Sequence, residues 1–151
     1  MLNVGYEKGF LLHDLHKLYP TMKIRGTEVS DYAIENSMPA IKLYLKKAPF
    51  TELPFKDKEF DFVIAIGVVY TLNLVDVIKC LKEIQRVGKG KSFITLGAYT
   101  DWEERRLFSY WTLLGATILH TEEWIKILNH VGYKGDYKFV TAKTLNLVEK
   151  K

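Results

Sequence analysis

Met1-Leu2-Asn3-Val4-Gly5-Tyr6-Glu7-Lys8-Gly9 reads as a short apolar strand that breaks at Gly5 and re-forms as a helix beyond Gly9. A strand–glycine–x–x–x–glycine–helix turn exposes backbone N–H groups and a helix N-terminus, which together suit a nucleotide-like ligand. Two glycines four apart carry little information alone. The order of the elements behind them supplies the rest.

After Gly9, Leu11, Leu15 and Leu18 follow helical spacing, with Phe10 and Leu12 widening the stripe, and the helix stops before Pro20. Met22 to Val29 alternates, predicting a strand that carries the acid Glu28 at its end. Ser30 is an N-cap and Asp31 favours a first turn, so a helix is expected from Asp31 to about Ser37, ended by Pro39. Ile41, Leu43 and Leu45 recur with period two and predict a third strand, followed by a loop at Ala48-Pro49-Phe50. Phe60 to Ile66 is a near-continuous apolar run typical of a strand buried on both faces, stopping at Gly67.

Asn73 caps a helix that places Leu74, Val77, Ile78, Leu81 and Ile84 on one face. Gly88 is expected as its C′ glycine, with Lys82 and Arg86 near its C-terminal end. Ser92 to Tyr99 is another apolar strand, and the region from Thr100 to Leu119 is expected to hold a helix. Thr121 is expected to cap a helix with Glu122 and Glu123 in its first turn and Trp124, Ile127, Leu128 and Val131 facing inward, ending at Gly132. Asp136 to Ala142 reads as a final strand, with a partner strand near Leu145 to Val148.

This alternation predicts an α/β fold: a Rossmann-like, doubly wound, mostly parallel sheet with helices on both faces and antiparallel strands at the C-terminal end. Ligands of such sheets bind outside the C-terminal strand ends, at the switch point. The turn after Val4, Glu28, the loop from Ala48 to Phe50 and the segment from Gly67 to Tyr70 are therefore expected to converge in one crevice.

The 151 residues suit one domain, 1–151, and 48% hydrophobic against 26% charged residues is a globular balance. No apolar run is long enough to cross a bilayer, and the N-terminus is unlike a signal peptide. The single cysteine, Cys80, excludes an intramolecular disulfide, and the cytoplasm is the expected compartment. A net charge of +4 suits an acidic partner, but the lysines are scattered, including Lys46, Lys47, Lys56, Lys58, Lys89, Lys91, Lys150 and Lys151. Most bracket turns, which favours solvated loop charge over a nucleic-acid patch.

The pattern resembles the class I S-adenosylmethionine-dependent methyltransferases of small-molecule type. Asn3 to Gly9 stands where that family has an acid and then alternating glycines. Glu28 stands where its second strand ends in the acid that holds the ribose hydroxyls. Leu53-Pro54-Phe55 followed by Phe60-Asp61-Phe62-Val63-Ile64 is similar to the family's hallmark approach to its fourth strand. Gly88 and the Thr121-to-Gly132 helix also match. The resemblance covers nearly the whole chain and implies S-adenosylmethionine as cofactor. It implies cofactor contacts at Asn3, Gly5, Tyr6, Glu7, Gly9, Glu28, Val29, Pro49, Phe50, Ile66 and Gly67. Tyr70, Trp102 and Trp111 are the implied substrate contacts. The implied partner is a small-molecule methyl acceptor, with no membrane or nucleic acid and with room for a homo-oligomer.

Four departures fall on one pocket. Asn3 replaces an acid. Glu7 replaces a small residue and brings a carboxylate towards the methionine tail. Pro49 replaces an acid that holds the adenine amine, and can offer only its carbonyl. The first strand is short, and the helix that precedes it in the family has no counterpart in the sequence; codons upstream of Met1 for that helix would mark this chain as a truncation.

No Ser/His/Asp constellation is present, as expected where a sulfonium donor leaves orientation as the main requirement, so no catalytic base is assigned. His13 and His16 lack further ligands at suitable spacing and read as helix-surface residues, so no metal is expected. Cys80 among Ile78, Leu81 and Ile84 reads as an inert buried thiol. The rival to catalysis is a methyltransferase-fold binding module, with the middle of its sheet exposed to a partner.

Overall fold

The computed structural model describes residues 1–148; the tail lysines Lys150 and Lys151 lie outside the described residues. The strands are β1 (Leu2–Val4), β2 (Arg25–Glu28), β3 (Leu45–Lys47), β4 (Val63–Ala65), β5 (Ser92–Tyr99), β6 (Leu119–His120) and β7 (Asp136–Val140). The helices are α1 (Phe10–Leu18), α2 (Asp31–Glu35), α3 (Leu74–Val87), α4 (Trp102–Trp111) and α5 (Thr121–His130). The sheet order is β3-β2-β1-β4-β5-β6, with β7 also on β5. The order reverses between β1 and β4, which is the switch point of a doubly wound sheet.

Every ladder among the described residues is parallel, including β5 with β7. The expected antiparallel strand is therefore absent from them. The ten-residue helix α5 carries the chain back across the sheet, and a helical crossover returns it in the same direction. β6 takes the upper end of β5 at Ala98 and Tyr99, and β7 pairs along Phe93 to Gly97. Leu145 to Val148 forms turn and coil instead of a strand, with the Leu145 and Leu147 amides bonded back to Thr141 and Ala142 carbonyls.

The third strand also differs from expectation. Pro39 starts a 3-10 helix, Pro39–Tyr44, that buries Ile41 and leaves Leu43 94% exposed, so the period-two pattern is coincidental. β3 begins only at Leu45. β2 and β4 are shorter than read, and Phe60 joins the sheet through an isolated bridge to Gly88. Gly88 is extended, with φ −88°, and not left-handed; a Cβ there would lie 3.0 Å from the Ile84 carbonyl and 3.2 Å from Val63. The cap of α5 is His120, whose Nδ1 accepts from the Glu122 amide, while Glu123 closes back on the His120 amide.

One face of the sheet packs on α3 and α5, burying Leu2, Val4, Val63, Ala65, Ile94 and Leu96 against Val77, Leu81, Ile84 and Trp124. The other face has a smaller cluster of Tyr6, Leu12, Ile24 and Ile41 under α1. Only Leu12 of α1 is buried, so Phe10, Leu11 and Leu18 remain exposed instead of forming a core stripe. On α3, Leu74 is likewise exposed, and Cys80 takes its place in the core.

Candidate functional site

The glycine turn is built by backbone conformation that sequence made available. Gly5, Glu7 and Gly9 all have positive φ, at 72°, 52° and 81°. This kinks the chain out of β1, and the Gly5 and Tyr6 amides both donate to the Thr27 carbonyl. A Cβ on Gly5 would lie 2.1 Å from Val68 Cγ2, and one on Gly9 2.3 Å from Ile41 Cδ1. Glycine is therefore required twice, for conformation and for close approach.

Glu28, at the end of β2, is 6% exposed. Its Oε2 accepts from the Glu7 amide at 3.0 Å, and its Oε1 from the Val29 and Ser30 amides at 2.8 and 3.2 Å. One carboxylate thus ties the glycine turn to the entrance of α2. Three amides leave about one of its roughly four lone-pair sites for another donor. Beside it, burial and the Glu28 charge push the Tyr6 phenol up to about 12, and the Tyr6 hydroxyl and Thr27 Oγ1 are buried without a partner.

Most of the sequence-nominated cofactor residues line two adjoining hollows. Asn3, Gly5, Tyr6, Glu7 and Ile66 line one of about 330 Å³, whose apolar wall is completed by Phe10 and Leu11. Val29, Pro49 and Phe50 line a second of about 370 Å³, with Leu72, Leu114 and one carboxylate, Asp76. Glu28 joins them, since its carboxylate accepts from the Glu7 amide beside the first and from the Val29 amide beside the second. Gly67, φ 73°, has open space where a Cβ would point, and its amide is held by Thr95 Oγ1 at 2.8 Å.

Of the three substrate nominations, Tyr70 and Trp111 meet through Phe108, and Trp102 lies at the other end of α4. Tyr70 is 9% exposed, stacked edge-on to Phe108, and its carbonyl accepts the Ala116 and Thr117 amides. Burial raises its phenol pKa and the Glu7 carboxylate adds to the shift. Trp102 opens α4 and lines a third hollow with Tyr99, Asp101 and His120, under the Arg105 guanidinium at 4.8 Å. Trp111 ends α4 and packs on Phe108. Nine residues of helix put the two tryptophans roughly 13 Å apart along the axis.

His13 pairs with Asp14 at 3.2 Å, and His16 tilts against the Tyr44 ring. Cys80 is fully buried, and burial pushes its thiol up to about 12. Sequence reasoning missed Phe10, Leu11, Thr95 and Asp76. Phe10 and Leu11 were hidden by their helical spacing, and Asp76 by its place in a helix first turn, where an acid has an ordinary explanation.

A parallel, doubly wound sheet with a glycine turn and a buried acid at its C-terminal strand ends defines a Rossmann-like class of protein. The sequence profile of the family described as Methyltransferase domain matches residues 2–96, and the chain belongs to that family. Solved structures agree on the fold. An S-adenosylmethionine-dependent methyltransferase from Thermotoga maritima is 21% identical, with TM-score 0.64 over 87% of this chain and 62% of that one. One from Archaeoglobus fulgidus is 20% identical, with TM-score 0.67 over 87% and 59%. A Haloferax volcanii methyltransferase, solved in complex with a methyltransferase activator, is 17% identical, with TM-score 0.67 over 87% and 59%. The chain thus spans about three fifths of the length of these structures. Comparison with curated proteins found no match.

Proposed function

We propose that this chain, read as one domain over 1–151, binds S-adenosylmethionine and transfers its methyl group to a small-molecule acceptor. The observation that carries this reading is Glu28, a buried acid held by three backbone amides at the C-terminal end of β2 with lone-pair capacity remaining. That capacity suits a ribose hydroxyl. The buried, unpartnered Tyr6 hydroxyl and Thr27 Oγ1 add polar capacity beside it. The first hollow, walled by Phe10, Leu11 and Ile66 and edged by Asn3 and the turn, suits an aliphatic amino-acid tail. In the second, Val29, Phe50 and Leu72 suit a flat heteroaromatic ring, and Asp76 offers a side-chain acceptor for its amine where Pro49 has only its carbonyl.

The cofactor would supply an electrophilic methyl on a sulfonium. This chain's own residues would orient the acceptor and exclude water, which is where the rate advantage of such a reaction lies. Tyr70, Trp102 and Trp111 are the proposed acceptor contacts, with Tyr70 and Trp111 packed on the same Phe108 ring. Gly9 and Gly67 shape the turn and strand end. No helix among the described residues is long and apolar enough to cross a membrane, and the single cysteine, Cys80, is the ground on which we place the protein in the cytoplasm.

The test is calorimetric titration with S-adenosylhomocysteine, repeated on Glu28→Ala and Asp76→Ala. Binding that both variants weaken supports the reading; no heat at millimolar ligand sinks it. A second reading, a binding module without catalysis, draws on the amides already bonded to both Glu28 oxygens and on the 46% exposed Ile66 beside Phe10. It predicts that silent titration.

A further inference from the structure

The opposite end of the sheet carries a feature that methyl transfer does not use. A hollow of about 430 Å³ opens at the N-terminal end of β5, between the last turn of α3, the turn Gly88–Lys91 and the turn before β7. Lys58, Arg86, Lys89, Lys91 and Lys134 line it, and no carboxylate does. Two of these cations are already neutralised. Arg86 binds Glu83 at 2.6 Å and Asp57 at 2.8 Å, and Lys89 binds Asp61 at 2.6 Å. Lys58, Lys91 and Lys134 have no carboxylate within ion-pair distance among the described residues.

The backbone at these three lysines is held by hydrogen bonds. The Lys58 amide donates to the Arg86 carbonyl at 2.8 Å, with Lys58 itself left-handed at φ 53°. The Lys91 carbonyl accepts from Val63 at 3.1 Å, and the Lys134 amide donates to Gln85 Oε1 at 3.1 Å. The ordinary explanation for cations here is a helix C-terminus in need of donors. It is weak in this case, because the Ile84, Arg86 and Val87 carbonyls already accept the Gly88, Lys58 and Phe60 amides. Gly90, at φ 105°, has open space on its Cβ side, leaving the main chain of the hollow approachable.

Three lysines without a carboxylate partner among the described residues, from three separate turns, line one concavity, and an anion seated there would offset their mutual repulsion. We propose that this hollow binds a small phosphoanion of diphosphate type, at a site separate from the methyl-transfer crevice. A compact dianion or trianion suits one hollow lined by lysines, whereas a polymer backbone would call for a basic track extending beyond the hollow.

The test follows amide shifts by NMR during titration with inorganic pyrophosphate, at ionic strength held constant with sodium chloride. Saturable shifts at Gly88 to Ser92 and Lys134 to Gly135 are expected. The variant Lys58→Gln/Lys91→Gln/Lys134→Gln should bind about tenfold more weakly, the sum of three exposed charge contacts. A charge-matched control, Lys17→Gln/Lys42→Gln/Lys126→Gln, should bind as the parent does. Should the triple variant not fold, Lys91→Gln alone is expected to weaken binding measurably. Shifts that sodium chloride reproduces, or affinity unchanged in the Gln variants, would overturn the proposal. So would oligouridylate binding more tightly than pyrophosphate with a steep salt dependence.

Discussion

Replacing Gly5 by alanine tests the geometry of the turn most directly. The new Cβ would sit 2.1 Å from Val68 Cγ2, 3.4 Å from Val68 Cβ and 3.6 Å from Phe50 Cζ. Val68 cannot swing aside easily, because a β-branched side chain has few χ1 options and this one is 6% exposed. Overpacking of this kind costs about 1–3 kcal/mol. The left-handed backbone adds about 1 kcal/mol for a residue with a Cβ. Alanine recovers roughly 0.5 kcal/mol by restricting the unfolded chain. The net expectation is a loss of about 2–3 kcal/mol, measured by urea denaturation with the m-value unchanged.

The two contributions separate in a double-mutant cycle. Val68→Ala alone should cost about 2 kcal/mol through lost burial and a small cavity. It also removes the methyl that the new Cβ strikes, so the Gly5→Ala/Val68→Ala pair should be about 1–2 kcal/mol more stable than the sum of the singles predicts. Additivity within about 0.5 kcal/mol would refute the steric account. A residual cost in the double variant belongs to backbone conformation.

Two further expectations follow from buried ionisable groups. The Arg86 side chain, with the Leu53 amide, holds the Glu83 carboxyl below its ordinary value. At Glu104, burial pushes upward, but hydrogen bonds from the Thr100 hydroxyl and amide outweigh it and the net shift is also downward. Both folded values lie below the unfolded ones, so their stabilisation is full above the unfolded carboxylate pKa and is lost as pH falls through the folded value. Urea midpoints should therefore drop between about pH 6 and about pH 3, and Glu104→Gln should flatten that slope. Cys80 should stay unmodified by a thiol reagent in native buffer and react fully in denaturant, since it is fully buried with its thiol pushed up to about 12. Rapid native labelling would contradict that packing.

Local chemistry made much of the fold legible. Ser30 and Asn73 cap α2 and α3 as their side chains require, accepting from the Ala33 and Asp76 amides. β5 runs from Ser92 to Tyr99 as its apolar run implies. The misreadings share a cause. Ile41, Leu43 and Leu45 alternate in apolarity, yet Pro39 and the position of Ile41 under α1 favour a 3-10 turn. His120 caps α5 because its ring can accept an amide, a role that Thr121 seemed better suited to fill.

The sequence by itself determined the alternation of strands and helices, the glycine turn and the acid at the end of β2. These depend on periodicity, caps and backbone freedom, which act over a few residues. Only the tertiary structure decided what those parts face. It occupied the Glu28 oxygens with amides from Glu7, Val29 and Ser30 and brought Asp76 to the hollow that Pro49 leaves without an acid. It also gathered Lys58, Lys91 and Lys134 from three distant turns around one concavity. Such groupings arise from how the sheet's crossovers stack, and no local pattern records which remote side chains a crossover will bring together.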